Sequence, residues 1–233
     1  MSSPLPEPPW SSVPQRRRRR RRLTREAITE AGLALVDAEG LDALSMRRVA
    51  ERLDVQASAL YGHVSGKQEL IQLMLDHVAL EMEVPDPDPD RWEEQLKEFA
   101  RSARQVLGAH RDLAGASLAN IPTGPNMLVL IDRVLAILVA SGLPRQAVAY
   151  AADLLPQFIT AAVYEESLFL QRLEREPEYF EQIDAYFRAA PADRFPALAD
   201  LVNELTSPEE GPDARFEFGL DVIVSGLAAM VER

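Results

Sequence analysis

The chain has 233 residues, which suits one or two domains with a buried core, and its formal net charge is −12. It contains no cysteine, so disulfides, thiol catalysis and zinc ribbons are excluded. No segment offers about 18 consecutive uncharged apolar residues, and we therefore expect no membrane span.

The first 22 residues carry a charge opposite to that of the rest. They have a net charge of +6, against −18 for the remaining residues, because they contain seven consecutive arginines: Arg16, Arg17, Arg18, Arg19, Arg20, Arg21 and Arg22. Since this segment is also rich in Pro and Ser, we expect a disordered basic arm that can approach DNA. A solvated, nonspecific tail is the alternative. The arginines also imitate the start of a signal peptide, but the following residues have the charges of an amphipathic helix, which favours a cytoplasmic protein.

The first helix is predicted from Thr24 to Glu39 and is stopped by Gly40, with Ile28, Ala31 and Leu35 on its inner face. A second, shorter helix follows. Its apolar residues recur at i, i+3, i+4 and i+7, namely Met46, Val49, Ala50 and Leu53.

Residues 44–70 form the pattern of a DNA-binding helix-turn-helix. Ser45 occupies an N-cap position before the second helix, and Asp54 in the turn is a residue that tolerates a left-handed backbone. After the turn, Val55, Leu60 and Val64 can close a core. That arrangement leaves six residues available to a partner: Gln56, Ala57, Ser58, Ala59, Tyr61 and His63.

The next helix is predicted to open at Lys67, because Ser65 and Gln68 have the spacing of a capping box, and to extend to about Glu83. The prolines of VPDPDPD, residues 84–90, cannot continue it. This segment predicts a stiff connection between two parts, residues 23–83 and residues 91–233.

Beyond the connection the sequence predicts helices only, so the fold class is all-α. Asp90 and Glu93 give a capping signal, Gly142 gives a stop, and Pro156 predicts a kink inside a long helix. The predicted helices span about residues 91–109, 113–119, 125–141, 144–170, 178–189, 195–205 and 214–231. The last is apolar over most of its circumference, which indicates packing on two sides and hence a partner helix.

These residues resemble the tetracycline repressor (TetR) family of transcriptional regulators. The resemblance is strongest in REAITEAGLALVDAEGLDALSMRRVAERLDVQASALYGHVSGKQELI, which is similar to the family's DNA-binding domain and connecting helix. HRDLAGASLANIPTG and ARFEFGLDVIVSGL resemble the ligand-binding domain of the tetracycline repressors proper. Residues 1–22 and 171–213 are not covered by this resemblance. The resemblance implies an all-α homodimer whose two heads bind a double-stranded DNA operator and whose cores hold a small-molecule effector. It also implies that residues 23–83 are the DNA-binding domain and 91–233 the ligand-binding and dimerisation domain.

Position by position, the resemblance implies a set of residues that contact the DNA backbone: Ser45, Arg47, Tyr61, His63 and Lys67. The base-facing positions become Gln56, Ala57, Ser58 and Ala59. Of these, Ala57, Ser58 and Ala59 offer only methyl contacts and one hydroxyl, and Gly62 stands where the family has a bulky aromatic. We therefore expect the arm to add affinity, in a flanking minor groove. Two alternatives to these DNA contacts stay open. His63 is then a surface imidazole that contacts nothing, and Tyr61 is a ring in the core of the head.

The resemblance also implies a ligand site, formed by Phe99, Ser117, Asn120, Ile121, Arg133, Gln157 and Glu165. Ser117 replaces the histidine that binds a drug-chelated magnesium ion, Ile121 replaces an arginine and Gln157 another histidine. We therefore expect an organic ligand, with no metal and no cofactor. Apolar walls are expected from Phe99, Ala103, Leu130, Leu154 and Phe158, and for each of them ordinary core packing is at least as good an interpretation.

Two other function classes fit the sequence less well. An enzyme is disfavoured because the three histidines lie on separate predicted helices and no nucleophile or phosphate-binding motif occurs. A ligand-independent architectural DNA-binding protein is supported by the arginines, but it leaves the large second part unexplained. Whether the regulator represses or activates stays open.

Overall fold

The computed structural model describes residues 23–121, 123–206 and 211–231, and the predicted basic arm, Arg16 to Arg22, lies outside them. Within this part of the chain all regular structure is helical, which confirms the all-α class. The elements are α1 (Arg25–Glu39), α2 (Met46–Arg52), α3 (Ala57–Leu60), α4 (Lys67–Val78), α5 (Trp92–Ala109), α6 (Leu113–Leu118), α7 (Pro125–Ala140), α8 (Arg145–Arg175), α9 (Tyr179–Arg188), α10 (Pro196–Thr206) and α11 (Gly211–Ala228). Short 3-10 turns, Leu41–Ala43 and Ala79–Glu81, follow α1 and α4.

Helices α1 to α4 form a head with its own core. Thr24 caps α1 by accepting a hydrogen bond from the Ala27 N–H, and Gly40 ends it with a φ of 87°. Side chains from all four helices, including Ile28, Leu60 and Met74, are fully buried in one cluster. Burial of this kind is the main favourable contribution to the stability of a small helical head.

The turn between α2 and α3 forms as its sequence predicts. Ser45 accepts a hydrogen bond from the Arg48 N–H at 3.3 Å, and Asp54 adopts a φ of 56°. Because an Asp side chain can occupy the left-handed region at small cost, the turn needs no glycine here.

The start of α4 at Lys67 is confirmed, but its predicted capping partner, Gln68, is wrong. Gly66 is the N-cap, which places Glu69 at the third helical position. The Ser65 N–H and hydroxyl both donate to the Glu69 carboxylate at 2.7 Å, and these bonds, the backbone one foremost, lower the pKa of Glu69. A flexible glycine between Ser65 and the helix thus moves the box by one residue.

Several predicted helix ends are also shifted. Helix α4 stops at Val78 rather than near Glu83, and Arg91, not Asp90, precedes α5 as its N-cap. The proline segment, residues 84–90, contains no helix. Within it, the Asp88 N–H donates a hydrogen bond to the side-chain oxygen of Gln95 at 2.9 Å. Helix α8 runs through Pro156 without a break and ends at Arg175 instead of about Leu170.

A second core lies among α5, α7, α8 and α11, with Leu96, Ile137, Leu155 and Leu220 fully buried in it. By length and composition α8 is also long and apolar enough to cross a membrane. Its buried face packs against α5, α6, α7 and α11, however, as expected for the central helix of a folded domain.

Helix α6 bridges the two cores. Its Leu113 and Ala116 are buried in the head cluster, whereas Ala114 is buried in the cluster of the second part. Any displacement of α6 therefore changes the packing on both sides.

A buried carboxylate fixes α7 to α4. Asp76 of α4 accepts hydrogen bonds from the Met127 N–H at 2.9 Å and the Asn126 side chain at 3.0 Å, and so caps α7. Gly124 lies against this carboxylate, and a Cβ atom there would sit 2.1 Å from its Cγ. A side chain at this position must displace Asp76.

We expect Gly124→Ala to lower the free energy of unfolding by about 2 to 4 kcal/mol, because it separates a buried carboxylate from its donors. Urea denaturation measures the effect. Gly108→Ala is the matched control, since a Cβ atom at this exposed α5 position meets nothing within 4 Å and favours the helix by about 1 kcal/mol. Equal stabilities for the two variants would contradict the close contact.

Candidate DNA interface and ligand site

The segment after the α2–α3 turn presents a continuous exposed face. Leu60 is fully buried and anchors α3, whereas Gln56, Ser58, Ala59 and His63 are exposed and Ala57 is half-buried. Tyr61 is 56% exposed, so its ring is not a core ring. The predicted base-facing residues of this segment are therefore at least partly accessible, as are Tyr61 and His63 among the predicted backbone contacts.

Ion pairs hold the cationic side chains around this face. Arg47 bonds Glu51 at 2.9 Å, and Arg48 bonds both carboxylate oxygens of Glu39, which lowers the pKa of Glu39. The ammonium of Lys67 donates to the Leu41 carbonyl at 3.2 Å. A phosphate must therefore compete with carboxylates for Arg47 and Arg48, but only weakly at Arg47, whose side chain is 85% exposed.

Arg25 positions the turn that follows α3. Its Nε donates to the His63 carbonyl at 3.2 Å, and its Nη2 pairs with Glu69 at 2.7 Å. This link joins α1, the turn and the start of α4. Sequence reasoning missed it, because its partners lie 38 and 44 residues away.

The seven predicted ligand residues differ in their surroundings. Phe99 is buried in the second core, together with the predicted wall residues Ala103 and Leu130. Ser117 and Asn120, near the end of α6, are half-buried, whereas Ile121 is 83% exposed.

The remaining predicted ligand residues lie on outer surfaces and have partners there. Arg133 pairs with Asp86 at 3.3 Å, Gln157 donates to Asp153 at 2.6 Å, and Glu165 lies 3.8 Å from Arg215. The predicted wall residue Leu154 is exposed, and Phe158 stacks on Phe216 with ring centroids 5.3 Å apart.

Two surface cavities stand out in the described residues. One, of about 330 Å³, lies where α8 meets α9, and the other, of about 240 Å³, is lined by Arg101, Arg104, Gln105, Gly108 and Glu166. None of the predicted ligand residues lines either cavity.

Comparison with known proteins identifies the family. Residues 28–74 match the family described as bacterial regulatory proteins, tetR family, and residues 84–231 match the tetracyclin repressor-like C-terminal domain. The chain belongs to the TetR family of transcriptional regulators.

Individual TetR-family relatives match over nearly the whole chain. An HTH-type transcriptional regulator of Saccharopolyspora erythraea is 32% identical over 94% of this chain and 91% of its own length. The class C tetracycline repressor of Escherichia coli is 32% identical over 90% of this chain and 92% of its own. The crystal structure of Streptomyces coelicolor ActR in complex with actinorhodin is 42% identical over 91% of this chain and 99% of that chain, with a TM-score of 0.85. The first two relatives are named as a transcriptional regulator and a repressor, which are not enzymes, and ActR is named as a TetR family protein.

In this TetR-family chain, Asn120 joins α6 to the connecting helix α4. Its side-chain oxygen accepts hydrogen bonds from the amides of Gln68 and of Gln72, the latter at 3.3 Å, while its own amide donates to the Ala116 carbonyl. Both glutamines lie on α4, which belongs to the head core. A shift of α6 would therefore act directly on α4, which is part of the DNA-binding head.

Asp112 makes a second link between the head and the rest of the chain. It adopts a φ of 60° before α6, and its carboxylate accepts from the Leu41 N–H at 2.9 Å and from the Gln171 amide at 3.2 Å. The partners belong to the turn after α1 and to α8. No signal in the sequence pairs residues at separations of 71 and 59.

No group of three or more His, Asp or Glu side chains within the described ranges has the arrangement of a metal site. Near the end of α6, Ser117 and Asn120 carry a hydroxyl and an amide group.

Proposed function

We propose that this TetR-family regulator is a cytoplasmic homodimeric repressor that binds a double-stranded DNA operator and is released from it by a small organic ligand. Residues 23–83 would be the DNA-binding domain, residues 84–90 the connection, and residues 91–233 the ligand-binding and dimerisation domain. The observation that carries the proposal is the position of α6, which is buried in both cores and bonded through Asn120 to α4.

The DNA contacts proposed for the head follow from its exposed face. Gln56, Ala57, Ser58 and Ala59 would face base edges, and Ser45, Arg47, Tyr61, His63 and Lys67 would contact phosphates. Because α3 offers few hydrogen-bonding groups to bases, the arm, Arg16 to Arg22, would contribute through the minor groove.

The ligand would act near the end of α6, where Ser117 and Asn120 are half-buried. Phe99, Ile121, Arg133, Gln157 and Glu165 stay part of the proposed ligand site. The ActR complex with actinorhodin supports an organic ligand, since it shows that a relative 42% identical to this chain holds one. To release DNA, the ligand must bind the released state more tightly than the DNA-bound state.

A titration tests this function. An operator is first selected from random duplex DNA, and its affinity is then measured by fluorescence anisotropy with increasing actinorhodin and, separately, with tetracycline and Mg²⁺. We expect an organic ligand to raise the operator Kd by about tenfold or more, a coupling of typical size for an allosteric protein. The Gln68→Ala/Gln72→Ala variant should still bind the ligand but show a smaller change in Kd, whereas Gln146→Ala, on the exposed surface of α8, should behave as wild type.

Two results would count against the proposal. If no ligand that binds the protein changes operator affinity, the release mechanism is wrong. If selection finds no preferred sequence, with a specificity ratio near one instead of about 10³ or more, the ligand-independent architectural DNA-binding protein is the better interpretation.

A further inference from the structure

A nearly buried histidine lies between two carboxylates where the head meets the second part of the chain. Nδ1 of His110 lies 3.1 and 3.2 Å from the two carboxylate oxygens of Asp37, and its Nε2 lies 3.3 Å from Glu81. The His110 side chain is 11% exposed. Asp37 belongs to the last turn of α1, Glu81 to the 3-10 turn after α4, and His110 to the end of α5.

The number of protons on the imidazole decides how many of these contacts are attractive. A neutral imidazole has one N–H, so it can donate to only one carboxylate, and the lone pair of its other nitrogen then faces the second carboxylate. With a proton on each nitrogen, His110 donates to both carboxylates, and the bonds are charge-assisted. Protonation therefore ties the end of α1 to the end of the α4 segment.

The neighbouring arginines do not take the place of the imidazole between Asp37 and Glu81. Arg111 is directed to Asp112, with its Nε 4.0 Å from a carboxylate oxygen, and Arg48 is bonded to Glu39. Helix α6, which follows, carries no charged residue. Among the described residues, neither Asp37 nor Glu81 has an ion pair with a lysine or arginine.

The location gives the contact a mechanical consequence. His110 and Asp112 lie two residues apart in the loop that leads into α6, and they hold the head at the end of α1 and at Leu41. This loop continues directly into α6, the helix that is buried in both cores. Loss of one of the two His110 bonds therefore removes one of the hydrogen bonds that hold the head in its orientation relative to the second part.

We propose that His110 is a proton-dependent positioning residue: doubly protonated, it bonds Asp37 and Glu81 together and holds the DNA-binding head in the orientation of this structure. Deprotonation releases the longer and more exposed contact, to Glu81, and lets the head move relative to the second part. The proposal deepens the proposed function, because it adds a proton to the factors that set head orientation, and it rests on the head being the DNA-binding part.

The absence of cysteine allows a direct test in the full-length chain. Cysteines introduced at Glu26 on α1 and Gln146 on α8, both exposed, carry spin labels, and labelled chains are diluted with an excess of unlabelled chains. Label separations are measured by electron dipolar spectroscopy from about pH 5.5 to about pH 8.5, the range in which imidazoles ordinarily change charge. We expect the population of the low-pH separation to fall about fivefold, as the loss of a single hydrogen bond allows.

The variants separate a proton-dependent role from a merely structural one. His110→Gln and Glu81→Gln should give separations that do not change with pH, while His77→Gln, which removes a histidine of α4, should keep the wild-type profile. Protonation of His110 itself is followed by NMR in the unlabelled protein. A wild-type separation that is constant over this range, a pH dependence that survives in His110→Gln, or an imidazole that does not titrate with the separation would each overturn the proposal. Because neither DNA nor ligand is present, these outcomes do not depend on whether the operator and ligand of the proposed function are found.

Discussion

Removal of residues 1–22 is expected to weaken operator binding by about a hundredfold or more and to flatten its dependence on salt. The described head explains why: residues 23–78 contain nine acidic and five basic side chains, a net charge of −4 with histidines neutral. Of the five cations, Arg25, Arg47 and Arg48 are already bonded to glutamates. A head with this balance attracts phosphates weakly, so the seven arginines of the arm supply most of the attraction.

Anisotropy titrations at several salt concentrations measure the effect. Removing one arginine–phosphate contact should reduce the slope of log K against log salt by about 0.9, so the truncated chain should have a slope smaller by up to about 6 units. Replacing the seven arginines with lysines is the matched control. It keeps the charge and should largely restore the slope, but it should not restore a preference for narrow A·T-rich flanks, because arginine favours such grooves. An unchanged slope after truncation would show that the arm does not contact the DNA backbone.

The caps and turns of the head could mostly be predicted, because their signals are local. The Ser45 cap, the left-handed Asp54 and the Gly40 stop each depend on a few neighbouring backbone atoms, and the structure has all three. The error at Ser65 has a local cause as well. The capping-box pattern admits two registers when a glycine follows the serine, and Glu69 is preferred because a carboxylate accepts both the N–H and the hydroxyl.

The parts that connect the head to the second core could not be predicted. Asn120 with Gln68, Asp112 with Leu41 and His110 with Asp37 join residues that only the tertiary fold brings together. Side chains that resemble exposed polar residues in the sequence thus become the links between the two parts.

The ligand residues illustrate a different limit. Transfer by position identifies where a family places its pocket, but the side chains present decide whether space is left there. Phe99 and Ala103 are packed in the core of this chain, and Arg133 and Gln157 are paired at the surface. The resemblance can therefore suggest where a ligand site lies, whereas the burial and partners of each side chain follow only from the tertiary structure.

The second large effect is expected at the outer face of α8 and α11. Phe218 and Val222 lie one turn apart on α11 and are 71% and 57% exposed, while the opposite side of the same helix is buried through Phe216 and Leu220. Helix α8 repeats this arrangement, with Tyr150 and Leu154 exposed. Two adjoining helices with apolar residues on both sides match the two-sided packing predicted for the last helix, and a second copy of the same face would bury them as a four-helix bundle.

We expect Phe218→Glu/Val222→Glu to convert the proposed homodimer to a monomer at micromolar concentration and to raise the operator Kd by about 10³-fold. The first effect follows because four carboxylates would meet in the interface of a symmetric dimer, where they lack partners. The second follows because a single head loses the contribution of its linked neighbour on the second half-site. Sedimentation velocity and anisotropy measure the two effects. Leu201→Glu is the control: it places the same charge at an exposed apolar position of α10, and it should leave both the mass and the operator Kd unchanged. A Phe218→Glu/Val222→Glu protein that stays dimeric would exclude this face as the interface, and a monomer that retains full operator affinity would show that the heads bind independently.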